Sequence, residues 1–384
     1  MWTVVDEDGL FELDAPQLNN DSSQDSRADI LRRTRNSFRL HPAPEKPMSS
    51  TKNRHCFPKP GVTQSPPEDL LTLINWFEEQ KQARHRFRWT LRDSLDELLD
   101  GQRTGRWCYQ HLTKTEKTYL GTAIEINLTR EFDISDGAHL DWRIGEADID
   151  CKFSKDVGGW EIPMEMYLCP DHGERAGKAD HPALLVWLND DRSEWAAGLI
   201  RVTDEKLRWK SQDGVVKVRG YNRDNKRRLS EEALSSVYWL WGGIQTDLPS
   251  NLLLDLPNHV RKEILVPDSS GQHRVNALFR HVRGRLINRQ VVLAVGQQDD
   301  APKRVRDARG HLRAEGIVIL GYLEPHKSFA RDLGLDVPSK GAWISARTVE
   351  VPSYSDRMNT VVDGRHWALA DDDEISSAPI LPTA

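Results

Sequence analysis

The sequence predicts an α/β fold of the α+β kind, a mixed sheet flanked by helices, followed by a second, helix-rich and basic region. Three observations lead there. Helical spacing of apolar residues runs through 66–132. Strand-type runs then cluster at 141–154, "ALLVWLN" and "WAAGLIRV". Beyond residue 245 the texture changes to arginine-rich helix and further strands. A chain of 384 residues has room for about two or three domains. We divide it at 1–65, 66–245 and 246–384.

The first 65 residues are rich in Ser, Pro, Asn and Gln ("LNNDSSQDS", "HPAPEKPMSSTKN") and read as a poorly folded extension. Within it "ADILRRTRNSFRL" has the pattern of a short basic helix. Folded structure is expected from "SPPEDLLTLINWFEEQ", with Ser65 as N-cap and acids in the first turn. A second helix, "TLRDSLDELLD", should stop at Gly101. In a third, "TKTEKTYLGTAIEINLTREF", Leu120, Ile124, Leu128 and Phe132 form one stripe. "GGIQTDLPS" near 242–250 reads as a linker. After it a helix from Arg274 to Asn288 should bury Val275, Leu278, Phe279, Val282 and Leu286. Strands "GIVILGY" and "GAWISARTVEV" follow, and the last 15 or so residues read as frayed.

Composition narrows the function classes. Hydrophobic residues are 38% and charged residues 29%, with no run of about 18 apolar residues, so no membrane span is expected. The acidic start "MWTVVDEDGLFELD" lacks the order of a signal peptide. Cys56, Cys108, Cys151 and Cys169 are scattered, without a zinc-type pair or a disulfide framework, which points to a reducing, cytoplasmic setting. The net charge of −6 does not advertise a nucleic-acid binder, yet a total can hide local basic patches.

The chemistry-bearing stretch is "DWRIGEADIDCK". Period-two alternation sends Ala147, Ile149, Cys151 and Phe153 one way and Glu146, Asp148, Asp150 and Lys152 the other. An exposed face laced with cross-strand ion pairs would give the same pattern. The sharper reading is phosphodiester hydrolysis. That reaction needs converging carboxylates for a divalent metal and a lysine to orient water or neutralise developing charge. Asp141 stands at a strand start, Asp150 and Lys152 share a strand face, and Glu125 lies on the preceding helix. Asp, about eight residues, then Asp-x-Lys is the PD-(D/E)xK nuclease arrangement in outline.

The segments "LRDSLDELLDGQRTGRW", "LTKTEKTYLGTAIEINLTREF", "DWRIGEADIDCKFS", "NRDNKRRLSEEA", "RVNALFRHVRGRLINRQ", "QQDDAPKRVRDARGHLRAEGIVILG" and "DLGLDVPSKG" resemble the NaeI-type restriction endonuclease family, in the family's order, from about 66 to 370. The resemblance implies a Mg²⁺-dependent type II endonuclease with a PD-(D/E)xK domain. It also implies a C-terminal helix-turn-helix (winged-helix, CAP-like) domain that holds a second, effector copy of double-stranded DNA. A homodimer and a palindromic site are implied as well. Catalytic roles carry over to Glu125, Asp141, Asp150 and Lys152, with the metal on Glu125, Asp141 and Asp150. Asp148 matches no catalytic position, and Cys151 reads as a small inward-facing residue.

"LLDGQR" also resembles the Lys-x-Asp-Gly-x-Arg motif of nucleotidyl-transferring DNA ligases, but Leu98 stands where the adenylated lysine would be, so no ligase activity is expected. Between 271 and 322 ten basic residues face four acids. Lys303, Arg304, Arg306 and Arg309 in "KRVRDAR", with Arg283, are the expected DNA contacts, and Arg227 in "NRDNKRRLS" marks a second basic site. "GGW" at 158–160 reads equally as a loop along DNA or as a buried aromatic under a glycine turn. The chain departs from the family in its extension and in longer segments at 167–182 and 205–221, which puts the recognition sequence in doubt. A non-cleaving DNA-binding regulator and a strand-nicking repair enzyme are the alternatives.

Overall fold

The structure, a computed structural model, describes residues 41–59, 61–168, 179–214, 216–298 and 300–382. The basic stretch "ADILRRTRNSFRL" and Cys169 lie outside the described residues.

Three helices open the first half: α1 (Leu71–Glu79), α2 (Ala83–Leu99) and α3 (Lys114–Phe132). No side-chain cap from Ser65 begins α1; a 3-10 turn at Glu68–Leu70 leads into it. α2 starts seven residues earlier than expected, because Ala83 and Phe87 extend the apolar stripe of Leu91, Leu95 and Leu99 backwards between arginines. Its stop is Asp100, in left-handed conformation, rather than Gly101. α3 begins with a capping box: Thr113 Oγ1 accepts from the Glu116 N–H, and the Glu116 carboxylate accepts from the Thr113 N–H at 2.8 Å. Its predicted stripe, Leu120, Ile124, Leu128 and Phe132, is buried.

The strands are β1 (Ser135–Asp136), β2 (Trp142–Ile144), β3 (Ala147–Ser154), β4 (Pro182–Asn189), β5 (Glu194–Arg201), β6 (Trp209–Gln212), β7 (Val216–Arg219) and β8 (Tyr238–Trp239). The main sheet has the order β1-β2-β3-β4-β5-β8, and it is mixed: β3 and β4 run parallel, the other pairs antiparallel. Every residue of β4 is buried, as befits a central strand covered on both faces. One face, with Ile149, Cys151, Leu184, Val186 and Leu199, packs on α1 to α3. The other, with Ala183, Leu185, Trp187 and Ile200, is covered by Trp160, Ile162, Met166, Leu207 and Leu229.

Part of the supposed extension belongs to this core. Met48 and Phe57 are buried, Trp187 Nε1 donates to Ser49 Oγ at 3.1 Å, Asn53 donates to the Val157 carbonyl, and Arg54 pairs with Glu194 at 2.7 Å. Its polar composition hides a few apolar anchors whose neighbours bond to the sheet. The expected linker is likewise pinned: Trp195 and Gln245 exchange both backbone hydrogen bonds, and Leu248 is buried.

The second half contains α4 (Gly271–His281), β9 (Leu286–Asn288), α5 (Arg289–Gly296), α6 (Ala301–Leu312), β10 (Ile317–Leu320), α7 (Glu324–Asp332), β11 (Ala342–Val351), β12 (Asn359–Val362) and β13 (Arg365–Leu369). β9 and β10 both pair antiparallel with β11. The helix expected over 274–288 ends at His281, because Gly284 takes a left-handed turn (φ 67°) and β9 follows. Leu286 is consequently exposed rather than core. The C-terminal tail is not frayed: Ala378 and Arg313 exchange two hydrogen bonds, and His326 Nε2 meets the Pro382 carbonyl at 3.0 Å.

The halves share surfaces. Trp107 and Cys108, from the first half, sit in the second core with Leu252, Leu253 and Val292. Gly101 is the knuckle: a Cβ there would lie 2.7 Å from Ala294 Cβ on α5 and 2.9 Å from the Arg106 carbonyl. The "LLDGQR" segment thus serves interdomain packing, with Leu98 against the first core. Among the described residues no helix is long and apolar enough to cross a membrane.

Candidate active site

The strand register assembles the site. Trp142 pairs with Ile149, which places Asp141 beside Asp150 at the start of β2. The Asp141 carboxylate accepts the Cys151 N–H at 2.9 Å, and Lys152 Nζ stands 3.6 Å from Asp141 Oδ2 while donating to Asp150 Oδ1. Trp142 Nε1 donates to Thr129 Oγ1 at 2.7 Å, and that hydroxyl donates to the Glu125 carbonyl at 2.8 Å. The indole thereby ties the start of β2 to the turn of α3 that carries Glu125.

Electrostatics separates these groups. Burial, then a hydrogen bond shared with Asp141, pushes the Asp150 carboxyl up to about 8. Burial opposes ionisation of Asp141 as well, but the bond from Asp150, the Lys152 ammonium and the Cys151 N–H outweigh it and hold its pKa low. Burial disfavours the Lys152 ammonium, yet Asp150 and Asp141 reverse the balance and raise its pKa. The half-buried Glu125 is raised by burial and by Asp141, with Lys152 opposing. The Cys151 thiol, pushed far up by burial, faces α3 and is no nucleophile.

Of the four residues singled out from sequence, Asp141, Asp150 and Lys152 meet directly; among the described residues Glu125 touches none of them and senses only the charges of Asp141 and Lys152. Among the described residues no three acid, histidine or cysteine side chains close into a ready metal cage. The donor set is nonetheless hard oxygen, crowded with like charge, which suits a small divalent cation. Asp148 is withdrawn from this group. It accepts the His139 N–H at 3.0 Å and pairs with Arg143 at 3.2 Å. Sequence reasoning missed Arg143; its signal is the β2–β3 register that sets it opposite Asp148.

A family profile, Restriction endonuclease NaeI, matches residues 73–377. The type II restriction enzyme NaeI of Lentzea aerocolonigenes is 44% identical over 301 residues, 76% of this chain and 87% of that protein. The chain belongs to the NaeI restriction endonuclease family.

The basic residues expected from the sequence divide by environment in this NaeI-family chain. On α6, Lys303 and Arg306 are exposed on the face opposite buried Val305, Ala308 and Leu312. Arg304 is engaged by Asp300 at 2.9 Å and by Asp307, and Arg309 donates to the Ile319 carbonyl at 2.9 Å. Arg283 is exposed in the turn before β9. Arg227 does not fit a DNA contact. It is buried, ion-paired with Asp204, bonded to the Leu207 and Arg208 carbonyls, and faced by the rings of Tyr167, Trp209 and Tyr221. Its neighbour Arg228 pairs with Glu161 at 2.9 Å. Trp160 is buried and donates to the Val186 carbonyl, so the "GGW" aromatic is core.

Proposed function

We propose that this chain is a type II restriction endonuclease that hydrolyses phosphodiester bonds at a specific, palindromic site in double-stranded DNA. The observation that carries the reading is the meeting of Asp141, at the start of β2, with Asp150 and Lys152, which share one face of β3. Family membership supports it, as does the likeness to the type II restriction enzyme of Lentzea aerocolonigenes.

In this reading Asp141 and Asp150, with Glu125 nearby, hold Mg²⁺. When bound, the ion supplies charge neutralisation at the phosphoryl group and a more acidic water. The chain's own groups do the rest. Asp141, anchored by the Cys151 N–H, keeps its oxygens aimed at the cluster. The Lys152 ammonium, held charged by the two aspartates, orients the attacking water and offsets charge growing on the phosphate oxygens. A water oxygen bonds to phosphorus, one P–O ester bond breaks, and the leaving oxygen takes a proton.

The second half supports a DNA-binding reading. Its succession of α4, β9, α5 and α6, with β9 and β10 both paired to β11, supports a helix-turn-helix reading of the winged kind in which α7 is inserted between β10 and β11 and α6 is the helix offered to the groove. We propose that it holds a second copy of the site, and that two chains pair on two-fold DNA. Lys303 and Arg306, with Arg283, are the contacts we favour.

Supercoiled plasmid, the purified chain and Mg²⁺ test this. Discrete linear fragments that vanish with EDTA support it. Stable nicked circles would indicate a nickase, and intact but retarded plasmid a non-cleaving binder.

A further inference from the structure

Between β5 and β8 the chain leaves the main sheet and forms a hairpin. β6 and β7 pair only with each other: Trp209 with Arg219, Lys210 with Val218, Ser211 with Lys217. All four residues of β6 are exposed. An isolated two-stranded ribbon is marginal in water, so its root must hold it. Arg227 does this. Its guanidinium bonds to the carbonyls at the base of β6, pairs with Asp204, and lies 4.9 Å from the Trp209 ring and 5.3 Å from that of Tyr167. Arg219 clamps the same Asp204 at 2.8 Å from β7. The root is thus held by two arginines on one aspartate.

The charge of this segment is one-signed. From Lys206 to Arg228 there are nine basic residues against Asp213 and Asp224, in a chain of net −6. Several are spent on the root, as Arg219 and Arg227 are. Others are not: Lys217 and Arg223 are exposed, and Lys210 reaches only the Tyr221 carbonyl. Pairing puts Ser211 and Lys217 on one face of the ribbon, Lys210 and Gln212 on the other. A two-stranded ribbon fits the major groove of B-form DNA, where a glutamine amide can read a base edge.

Position completes the argument. Asp150 is in register with Ala183, and Ala183 with Ile200 near the end of β5. Asp150 and Lys152 therefore project from the sheet face that carries Ala183 and Leu185, the face overlaid by Ile162, Leu207 and Leu229. The ribbon is rooted in that same layer, where Arg227 bridges Ile162 and Leu207 bridges Leu229.

We propose that the β6–β7 ribbon enters the major groove of the duplex being cut, with Lys210 and Lys217 on phosphates and Gln212 on a base edge. This rests on the nuclease reading above. The test uses the full chain as wild type, K210A/K217A and Q212A. Binding to a duplex carrying the mapped cleavage site is followed by fluorescence anisotropy in EDTA from 50 to 200 mM salt. Cleavage with Mg²⁺ is followed on single-base variants of that site. Removing two phosphate contacts should flatten the slope of log K on log salt by about 2, so wild type loses roughly tenfold more affinity over that range. Q212A should cleave one single-base variant at a rate closer to the cognate rate. Wild type that cleaves, beside variants with unchanged slope and unchanged preferences, overturns the ribbon alone. Wild type that never cleaves overturns the nuclease reading and the ribbon with it. A change of sedimentation mass in K210A/K217A without a change of slope makes the ribbon a protein contact and also overturns the proposal.

Discussion

His111 fastens the segment that precedes the first helix, and its protonation should unfasten it. Its Nε2 meets the Pro42 carbonyl at 2.8 Å, and its Nδ1 accepts the Trp107 N–H at 3.4 Å. The ring lies tilted against His41, with centroids 4.7 Å apart, and edge-on against Trp107. Only the neutral tautomer with hydrogen on Nε2 satisfies both bonds. Burial pushes its pKa down to about 4, and the nearby His41, Arg106 and Arg261 push the same way against the Pro42 bond. Arg106 is itself paired with Glu116. With the folded value below the unfolded value of about 6.5, the unfolded chain binds the extra proton first. Stability is therefore full above about pH 6.5 and falls as pH drops towards 4. At pH 5 the loss is about 2 kcal/mol for a fully sheltered ring, and about 1 kcal/mol allowing for partial exposure. The assay is the melting temperature of wild type and His111→Gln at pH 7.5 and pH 5. The variant should lose about 2 °C less than wild type between the two conditions. Equal losses would refute the reasoning, because the other titrating groups are common to both chains.

Three further outcomes follow from the geometry. Lys152→Ala should lower plasmid cleavage at least about 10²-fold while leaving DNA binding in EDTA nearly unchanged; near-normal turnover in a rate assay would remove the lysine from the mechanism. Arg227→Ala leaves the half-buried Asp204 to Arg219 alone, strips the Leu207 and Arg208 carbonyls of their donor and opens the ribbon's root, so chemical denaturation should show a loss of about 1–3 kcal/mol. Gly101→Ala forces a methyl group against Ala294 and should cost about 1–3 kcal/mol in the same measurement, with a disturbed contact between the halves.

Legibility in the sequence tracked the range of the forces involved. The α3 stripe and the β3 alternation are local periodicities, and both appear where the spacing put them. Asp141, Asp150 and Lys152 could be grouped because a strand register needs only a short turn between β2 and β3. What escaped depends on distant partners. Met48 and Phe57 sit in a polar stretch whose anchoring needs Trp187 and Glu194, more than a hundred residues on. Arg227 looked like part of a solvated basic run, and only the fold brings Tyr167, Trp209 and Asp204 around it. The helix expected to reach Asn288 ends at His281 because β11 claims Leu286 to Asn288 as a strand.

The polar face of β3 decides between a solvated strand and a reactive one. A solvated face would leave its acids in water, but Asp148 is 7% exposed and Asp150 is 3% exposed. Burying a carboxylate is costly unless its oxygens are satisfied. The two acids meet this cost in opposite ways. For Asp148, the Ala138 and His139 N–H groups and Arg143 outweigh burial and hold the carboxyl below its ordinary range, so it is a stable anion that ties the β1–β2 loop to β3. Among the described residues no backbone N–H of that kind reaches Asp150; burial and Asp141 raise it, and Lys152 only partly relieves it. Neighbouring acids driven apart in this way are what the proposed function needs, one for the scaffold and one for the chemistry. The strain is concentrated at the one acid that also touches Asp141 and Lys152, which is where a reacting phosphate and its counter-ion would relieve it.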